Sequence, residues 1–271
     1  MSGDRLLDAS PPVVKQCCAA AYGSDWASML LGDSFHPGGT RLTDRLAELL
    51  DLRPGMTVLD VAAGRGTSAL HLASTRHCDV VGIDLSVTNV AAATAAAAER
   101  GLDDRVRFLV GDAERLPVDT ARVDAVLCEC AFCTFPDKSM AAAEFRRVLK
   151  PGGVLGFSDL VRRGALPADL QDLLAWVACV ADALPVEGYV EHLTTAGIEV
   201  DHVEGHDGAL ADMAEQVRSR LLMGRVLSAA RRVDLPGVDW ERASGVARTA
   251  LTAIRDGVLG YVILRGRTSS V

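Results

Sequence analysis

Short β-branched apolar runs alternate with alanine-rich segments of helical periodicity through the middle of the chain. This alternation is typical of a parallel sheet that is covered by helices on both faces. The apolar runs predict strands at Thr57–Val61, Asp79–Asp84, Val106–Val110, Val123–Cys128 and Val154–Asp159. The segments between them predict helices at Ser68–Ser74, Thr88–Arg100 and Lys138–Leu149. The "KPGG" that follows is expected to end the last of these helices.

The segments before and after this β-α-β unit are mostly helical in pattern. Before it, the pattern predicts helices at Pro12–Tyr22, Trp26–Leu31 and Thr40–Leu52, with the turn-forming loop "GDSFHPGG" between the last two. After it, the pattern predicts helices at Ala168–Ala183, Val186–Ala196, Leu210–Arg232 and Trp240–Arg255, and strands at Ile198–Glu204 and in "VLGYVILRG". We interpret the helix pair before that closing strand as an insertion.

Composition narrows the classes of partner. The 271 residues are enough for a large buried core, and the formal net charge of -8 argues against a nucleic-acid or anionic-membrane surface, because both need clustered Lys and Arg. The longest apolar runs are too short to cross a bilayer, and the first residues lack the pattern of a secretory signal. We therefore expect a cytoplasmic protein with a small-molecule partner, whose oligomeric state the sequence does not give.

Seven cysteines occur at irregular spacing, and three of them, Cys128, Cys130 and Cys133, fall within "CECAFC". An odd number of cysteines in a chain expected to be cytoplasmic does not favour a disulfide scaffold. A structural zinc site is also disfavoured, because no second cysteine pair follows at regular spacing. The thiols are therefore expected to be buried as small hydrophobes or to act as ligands.

A small-residue loop follows the first predicted strand in "TVLDVAAGRGTSAL". Asp60 lies near the end of this strand, and Gly64 and Gly66 allow a ligand to approach the backbone at the start of a helix, where N–H groups are unpaired. The spacing does not fit the G-x-G-x-x-G loop of dinucleotide enzymes, so a nicotinamide site is the weaker alternative.

Two more acidic residues lie at the ends of the next two strands. Asp84 ends the second strand, where a carboxylate can accept both hydroxyls of a ribose. Asp112 follows the third strand, where it can accept a hydrogen bond from an adenine amino group. Each acid alone is also typical of a helix cap or a turn. The ordered set of three strand ends is what indicates a nucleoside ligand.

These motifs, together with "FRRVLKPGGVLGFSDL", resemble the ordered motifs of the class I S-adenosylmethionine-dependent methyltransferases over Thr57–Leu160. The resemblance implies an α/β, Rossmann-like sheet of seven strands with the last strand antiparallel. It also implies S-adenosylmethionine as the cofactor, although Ala62-Ala63 replaces a more glycine-rich loop. The cofactor contacts that it implies are Asp60, Ala62, Gly64, Gly66, Asp84, Leu85, Gly111, Asp112, Ala113 and Glu129.

The segment "GDSFHPGGTRLTDRL" resembles a helix-loop-helix lid of some of these enzymes. It implies that His36, Gly38 and Thr43 hold the methionine part of the cofactor, although His36 alone is also typical of a turn cap. Tyr22 and Trp26 are expected either to shield the sulfonium or to belong to the core. We thus expect a helical lid at 1–52, an α/β cofactor core at 53–160, and the rest of the sheet with substrate-side helices at 161–271.

The cysteines after the fourth strand resemble those of the arsenite methyltransferases. In that group, a cysteine at the position of Cys130 and another at the position of Cys179 bind trivalent arsenic, whose lone pair attacks the methyl group without a base. A third thiolate is expected from Cys17, Cys18 or Cys133, and a thiol reductant is expected as a partner. Soft thiolates suit such a soft acceptor.

Two alternatives remain open. In the first alternative, the chain is an O-, N- or C-methyltransferase of a small organic metabolite, and the cysteines line an apolar pocket. The candidate bases are then Glu129, His192, His202 and His206. In the second, the chain is a non-catalytic sensor of thiophilic species or of the cofactor.

Overall fold

The computed structural model describes residues 11–32, 34–170, 180–229 and 239–270. Its strands are β1 Thr57–Val61, β2 Asp79–Asp84, β3 Val106–Val110, β4 Val123–Glu129, β5 Leu149–Arg162, β6 Ile198–Gly205 and β7 Leu259–Thr268. They form one sheet in the order β3-β2-β1-β4-β5-β7-β6. Strands β1 to β5 are parallel, and β7 is antiparallel to both β5 and β6. The expected seven-stranded sheet with an antiparallel last strand is confirmed.

Helices cover both faces of this sheet. They are α1 Pro11–Tyr22, α2 Asp25–Leu31, α3 Thr40–Leu49, α4 Thr67–Thr75, α5 Val87–Glu99, α6 Lys138–Val148, α7 Val186–Thr195, α8 Asp207–Ala229 and α9 Trp240–Arg255, with short 3-10 turns at Phe132–Thr134 and Ala168–Leu170. No described helix combines the length and the apolar character that crossing a bilayer requires. The pair α8 and α9 lies between β6 and β7, where an insertion was expected.

Alternating side chains of the strands pack into two cores, one on each face. In β4, Ala125 and Leu127 face the core formed with α3, α4, α5, α8 and α9, whereas Val126 and Cys128 face the core formed with α6 and α7. Because both faces are buried at the centre of the sheet, β1, β2 and β4 are mostly apolar, whereas the edge strand β6 alternates between buried or half-buried and exposed residues. The carboxyl ends of the parallel strands, where the predicted acidic residues lie, meet at one edge of the sheet.

Several predicted bounds were wrong for local reasons. Helix α3 ends at Leu49, not Leu52, because Asp51 adopts a left-handed φ of 51° and the N–H of Leu52 turns back to the carbonyl of Ala47 at 3.0 Å. Strand β5 begins at Leu149 instead of Val154, because Leu149 already has extended backbone with a ψ of 134° and the Pro-Gly-Gly after it is part of the strand.

The helix predicted at Ala168–Ala183 is also wrong at both of its described ends. Ala168–Leu170 is a 3-10 turn, and residues 180–183 form turn and coil. The rest of that prediction, including Cys179, lies outside the described residues. Helix α8 begins at Asp207, three residues before the predicted start, and the predicted end at Arg232 lies outside the described residues.

Candidate functional site

A cavity opens at the carboxyl ends of β1, β2 and β4 and is covered by α1 and by the loop before α3. We call it the strand-end cavity. The residues with predicted cofactor contacts that line it are Asp60, Ala62, Gly64, Asp84, Leu85, Gly111, Asp112, Ala113, Glu129 and His36. Gly66, Gly38 and Thr43 do not line it. The predicted motifs therefore converge on one space, and only these three residues lie outside its lining.

Gly66 has a packing role at the start of α4. It is the N-cap of this helix and has a left-handed φ of 82°. A Cβ atom at this position would lie 2.5 Å from the ring of Phe108, so a larger residue would displace the ring. Gly64, with a φ of 56°, lines the strand-end cavity, and its N–H faces the end of β2.

Asp84 is held by three donors at the end of β2. Its Oδ2 accepts the N–H of Gly64 at 2.8 Å, and its Oδ1 accepts the N–H of Ser86 at 2.8 Å and the side-chain amide of Asn89 at 3.3 Å. Burial raises the pKa of this carboxyl, and the backbone donors act in the opposite direction. Its orientation is therefore fixed before any ligand arrives.

Glu129 ends β4 within a buried hydrogen-bond network. Its carboxylate accepts the hydroxyls of Ser68 at 2.6 Å and of Thr43 at 3.1 Å, and His36 Nε2 lies 3.6 Å from it. His36 Nε2 also lies 3.2 Å from Ser68 Oγ, and its Nδ1 lies 3.3 Å from the carbonyl of Pro37. Thr43 thus positions Glu129 without reaching the cavity, and the network ties the loop before α3 to the sheet.

Asp60 presents an orphaned carboxylate oxygen. The side chain is 3% exposed, and its Oδ2 has no hydrogen-bond partner among the described residues. Burial, and then the charges of Glu129 and Asp84, raise its pKa well above the ordinary value. Buried polar atoms normally have partners. A ligand with a cationic group at this end of the strand-end cavity would supply one, and S-adenosylmethionine carries an ammonium and a sulfonium.

Asp112 is bridged to helix α1. Its Oδ1 accepts the N–H of Glu114 at 3.0 Å, and its Oδ2 accepts from Lys15 Nζ at 2.7 Å. Lys15 also contacts Glu114 Oε2 at 2.5 Å. Burial lowers the pKa of Lys15, but the two carboxylates outweigh it and leave that pKa raised. The sequence analysis missed Lys15, although it is the one charged residue of α1.

The predicted thiol ligands are divided among different environments. Cys18 and Cys130 line the strand-end cavity, whereas Cys17 and Cys133 do not. Cys133 is buried in the core, and its N–H donates to Asp159 Oδ2 at 2.8 Å. In the described ranges no group of three or more His, Cys, Asp or Glu side chains is arranged to hold a metal ion. The structure therefore does not assemble three described thiols into one ligand set.

Cys128 is fully buried under α6 and α7, where burial raises its pKa well above the ordinary value. Cys130 differs, because it has a left-handed φ of 54° and its N–H donates to the carbonyl of Ser158 at 2.6 Å. A left-handed conformation costs a residue with a Cβ roughly 1–2 kcal/mol. In this left-handed conformation, Cys130 lines two cavities.

The second cavity is apolar and has a volume of about 240 Å³. We call it the apolar cavity. Its described lining consists of Ala21, Tyr22, Ala27, Leu30, Leu31, Phe35, Pro37, Cys130, Leu160, Val180, Leu210, Met213, Ala214, Val217, Leu221, Ala243, Val246, Ala247, Ala250, Ile254 and Leu259. It exceeds the roughly 150 Å³ cavity that binds benzene in an engineered core. Tyr22, Phe35 and Cys130 line both cavities and form what we call the shared wall.

Sequence reasoning missed the apolar cavity, although a signal was present. The lining residues of α8 and α9 both follow the spacing i, i+3, i+4, i+7 and i+11, starting from Leu210 and Ala243. Three of the candidate bases lie elsewhere: His192 is bonded to Ser139 at 3.1 Å, and His202 and His206 are both bonded to Glu204. None of these histidines lines either cavity.

Comparison with known proteins identifies similar chains. Residues 52–210 match the family model described as methyltransferase domain. The 27-O-demethylrifamycin SV methyltransferase of Amycolatopsis mediterranei (strain S699) is 32% identical over 67% of this chain and 72% of its own length. The arsenite methyltransferase of Halobacterium salinarum is 29% identical over 69% of this chain, which spans 49% of that protein. The crystal structure of the cyclase SpnF gives a TM-score of 0.76 at 26% identity, over 97% of both chains.

Proposed function

Because the chain belongs to the methyltransferase domain family and is an S-adenosylmethionine-dependent methyltransferase, we propose that its acceptor is an apolar organic molecule bound in the apolar cavity. The methyltransferase activity rests on the family match. The proposed acceptor site rests on one observation, namely that Tyr22, Phe35 and Cys130 line both cavities. A donor and an acceptor that both lie against these three residues can approach each other there.

The strand-end cavity has the groups that S-adenosylmethionine needs, and we assign the cofactor to it. Asp84 would accept the ribose hydroxyls, and the loop at Asp112 and Ala113 would border the adenine. The orphaned oxygen of Asp60, next to Glu129, would receive the ammonium group. When bound, the cofactor supplies a methyl group already activated on a sulfonium.

The apolar lining favours an acceptor that is itself apolar. Removing apolar surface from water contributes about 25 cal/mol per Å². Among its described lining residues, Tyr22 and Cys130 carry the only side-chain polar or sulfhydryl hydrogens. The protein thus contributes mainly by holding the acceptor in line with the methyl group and by excluding water.

Few residues are candidates for removing a proton from an acceptor that carries one. No carboxylate or imidazole occurs among the described residues that line the apolar cavity. Glu129 and His36 line the neighbouring strand-end cavity. We propose His36 as the base for an acceptor that carries an O–H or N–H proton, because the residue next to it, Pro37, lines the apolar cavity.

Trivalent arsenic is the second candidate acceptor. It is favoured by Cys18 and Cys130, which both line the strand-end cavity, and by the similarity to the Halobacterium salinarum enzyme. The proposed partner thiol, Cys179, lies outside the described residues. This function also requires a thiol reductant.

One experiment separates the two acceptors. The purified protein is incubated with S-adenosylmethionine labelled in its methyl group, either with a panel of apolar hydroxylated compounds or with arsenite and a thiol reductant. Mass spectrometry then locates the label. The proposal expects label on an organic compound, with formation of S-adenosylhomocysteine, and no methylated arsenic. Label on arsenic alone, abolished in the double variant of Cys130→Ser and Cys179→Ser, would establish the second candidate instead.

A further inference from the structure

A third concave surface lies beside the two cavities, between the loop that precedes α3 and one face of α8. Its volume is about 350 Å³, and we call it the polar groove. The lining residues that carry the inference are Ser34, Arg41, Asp212, Gln216 and Arg220. None of them was singled out by the sequence motifs, and the proposed methyl transfer does not use them.

The polar groove concentrates positive charge in a chain whose formal net charge is -8. Arg41 and Arg220 line it together with a single described carboxylate, that of Asp212. Arg41 forms no hydrogen bond or ion pair with any described residue. Arg220 donates to the carbonyl of Leu30 at 2.6 Å, which fixes its guanidinium without neutralising it.

The start of α3 strengthens this positive charge. Its N-cap, Gly39, provides no side-chain hydrogen bond, and its first turn contains no acidic residue. Helix N-termini carry partial positive charge and favour anions, so Arg41 in the first turn is unfavourable unless an anion lies nearby. Two arginines and an uncapped helix start therefore face the same groove.

A buried hydroxyl points to a ligand independently of these charges. Ser34 Oγ is buried and has no hydrogen-bond partner among the described residues. Ser34 lines both the polar groove and the strand-end cavity. Because a buried donor without a partner is unfavourable, an acceptor atom bound here would stabilise this hydroxyl.

The polar groove adjoins the apolar cavity. Leu31 and Met213 line both of them. On α8, Asp212, Gln216 and Arg220 face the polar groove, whereas Val217 and Leu221 on the adjacent stripe face the apolar cavity. A molecule with an apolar body and a charged end can therefore occupy both spaces at once.

We propose that the polar groove binds a carboxylate of the methyl acceptor, so that the acceptor is an apolar monocarboxylic acid. This inference rests on the proposed organic acceptor. The two guanidinium groups and the one carboxylate of the described lining leave one net positive charge, which a singly charged carboxylate balances. Arginine also binds carboxylates with matched geometry.

The test compares decanoate with decan-1-ol, an uncharged probe of similar length, by titration calorimetry on the full chain saturated with S-adenosylhomocysteine. Decanoate is expected to bind at least tenfold more tightly, which is about 1.4 kcal/mol. In the Arg41→Gln variant the ratio of the two affinities is expected to fall to about one. Arg41→Lys is expected to keep part of the preference, and Arg53→Gln, at an exposed arginine outside the groove, is expected to keep all of it.

Equal affinity of wild type for decanoate and decan-1-ol would overturn the inference and leave the organic acceptor intact. The same conclusion follows if Arg41→Gln weakens binding of S-adenosylhomocysteine and spares the preference for decanoate, because the groove then serves the carboxylate of the cofactor. If neither probe binds and the labelled-methyl assay finds no organic product, the organic acceptor itself is wrong.

Discussion

The strand-end cavity and the apolar cavity share three residues but are built in different ways. The first is formed by loops at the ends of parallel strands, and its polar groups are fixed by backbone donors, as Asp84 is by the N–H groups of Gly64 and Ser86. The second is formed by stripes of side chains on α8 and α9. In the proposed function, the donor side is therefore formed by the strand ends of the sheet, and the acceptor side by helix surfaces.

This difference predicts that variants of the strand-end cavity and variants of the apolar cavity will affect different steps of the reaction. Changes at strand ends should alter cofactor affinity most, and changes on the helix stripes should alter acceptor turnover most.

The largest effect is expected for Asp84→Ala. The substitution removes the proposed ribose acceptor and leaves the N–H groups of Gly64 and Ser86 without their partner. Since hydrogen bonds to charged groups contribute about 1.5–3 kcal/mol each, affinity for S-adenosylhomocysteine should fall about 100-fold or more. Calorimetry measures this. Asp79→Ala, at the exposed start of the same strand, is the matched control, and equal affinities of the two variants would refute the assignment.

A smaller effect, on turnover, is expected for Ala247→Phe. The larger side chain fills part of the apolar cavity, so kcat/KM for an organic acceptor should fall by about tenfold or more, which is about 1.4 kcal/mol. The affinity for S-adenosylhomocysteine should change by less than about twofold. Val226→Phe, on the exposed face of α8, serves as the control. Full turnover in the Ala247→Phe variant would place the acceptor elsewhere.

Asp60 gives a prediction that depends on pH. Its pKa in the folded chain is raised well above the ordinary value, so its contribution to stability is present below pH 3.8 and is lost as pH rises through the raised pKa. Asp60→Asn should therefore raise the Tm of the ligand-free protein at neutral pH by about 2–4 °C, the shift that roughly 1 kcal/mol gives at this size. A lower Tm for the variant would show that this carboxylate is compensated in the free protein.

The same residue should release a proton when the cofactor binds. A cationic group next to Asp60 favours the carboxylate, so binding at neutral pH should release up to one proton. Calorimetry in buffers of different ionisation enthalpy measures the number. The release should disappear in Asp60→Asn, and its persistence would assign the proton to another group.

The smallest effect is expected at Cys130. Cys130→Gly relieves a left-handed φ of 54°, which is worth roughly 1 kcal/mol, and it removes the thiol from the shared wall. Turnover of an organic acceptor should stay within about threefold of wild type. A complete loss of turnover would show that the thiol takes part in the reaction, as arsenic chemistry requires.

Much of the donor side could be predicted from the sequence. The residues Asp60, Asp84 and Asp112 each follow an apolar run, and parallel strands bring their carboxyl ends to one edge. The bounds of β1, β2 and β3 were also predicted correctly, because each is a short run of mostly apolar residues. Local pattern and chain order were enough for these features.

The acceptor side could not be predicted in the same way. The stripe that starts at Ala243 indicates a buried helix face, but only the packing of α9 against α8, α2 and the loop after α2 leaves a cavity there. The pairing of Lys15 with Asp112 joins residues 97 positions apart, and neither shows it locally. The separation of Cys133 from the cavity depends on the short 3-10 turn after β4, which turns that residue into the core.

The most direct test of the account is a crystal structure of the protein with S-adenosylhomocysteine. The account predicts that the thioether sulfur lies at the shared wall of Tyr22, Phe35 and Cys130, with its open side facing the apolar cavity. It also predicts that Asp84 contacts the ribose and that Asp60 contacts the ammonium. A sulfur atom that faces the polar groove or bulk solvent would contradict the account.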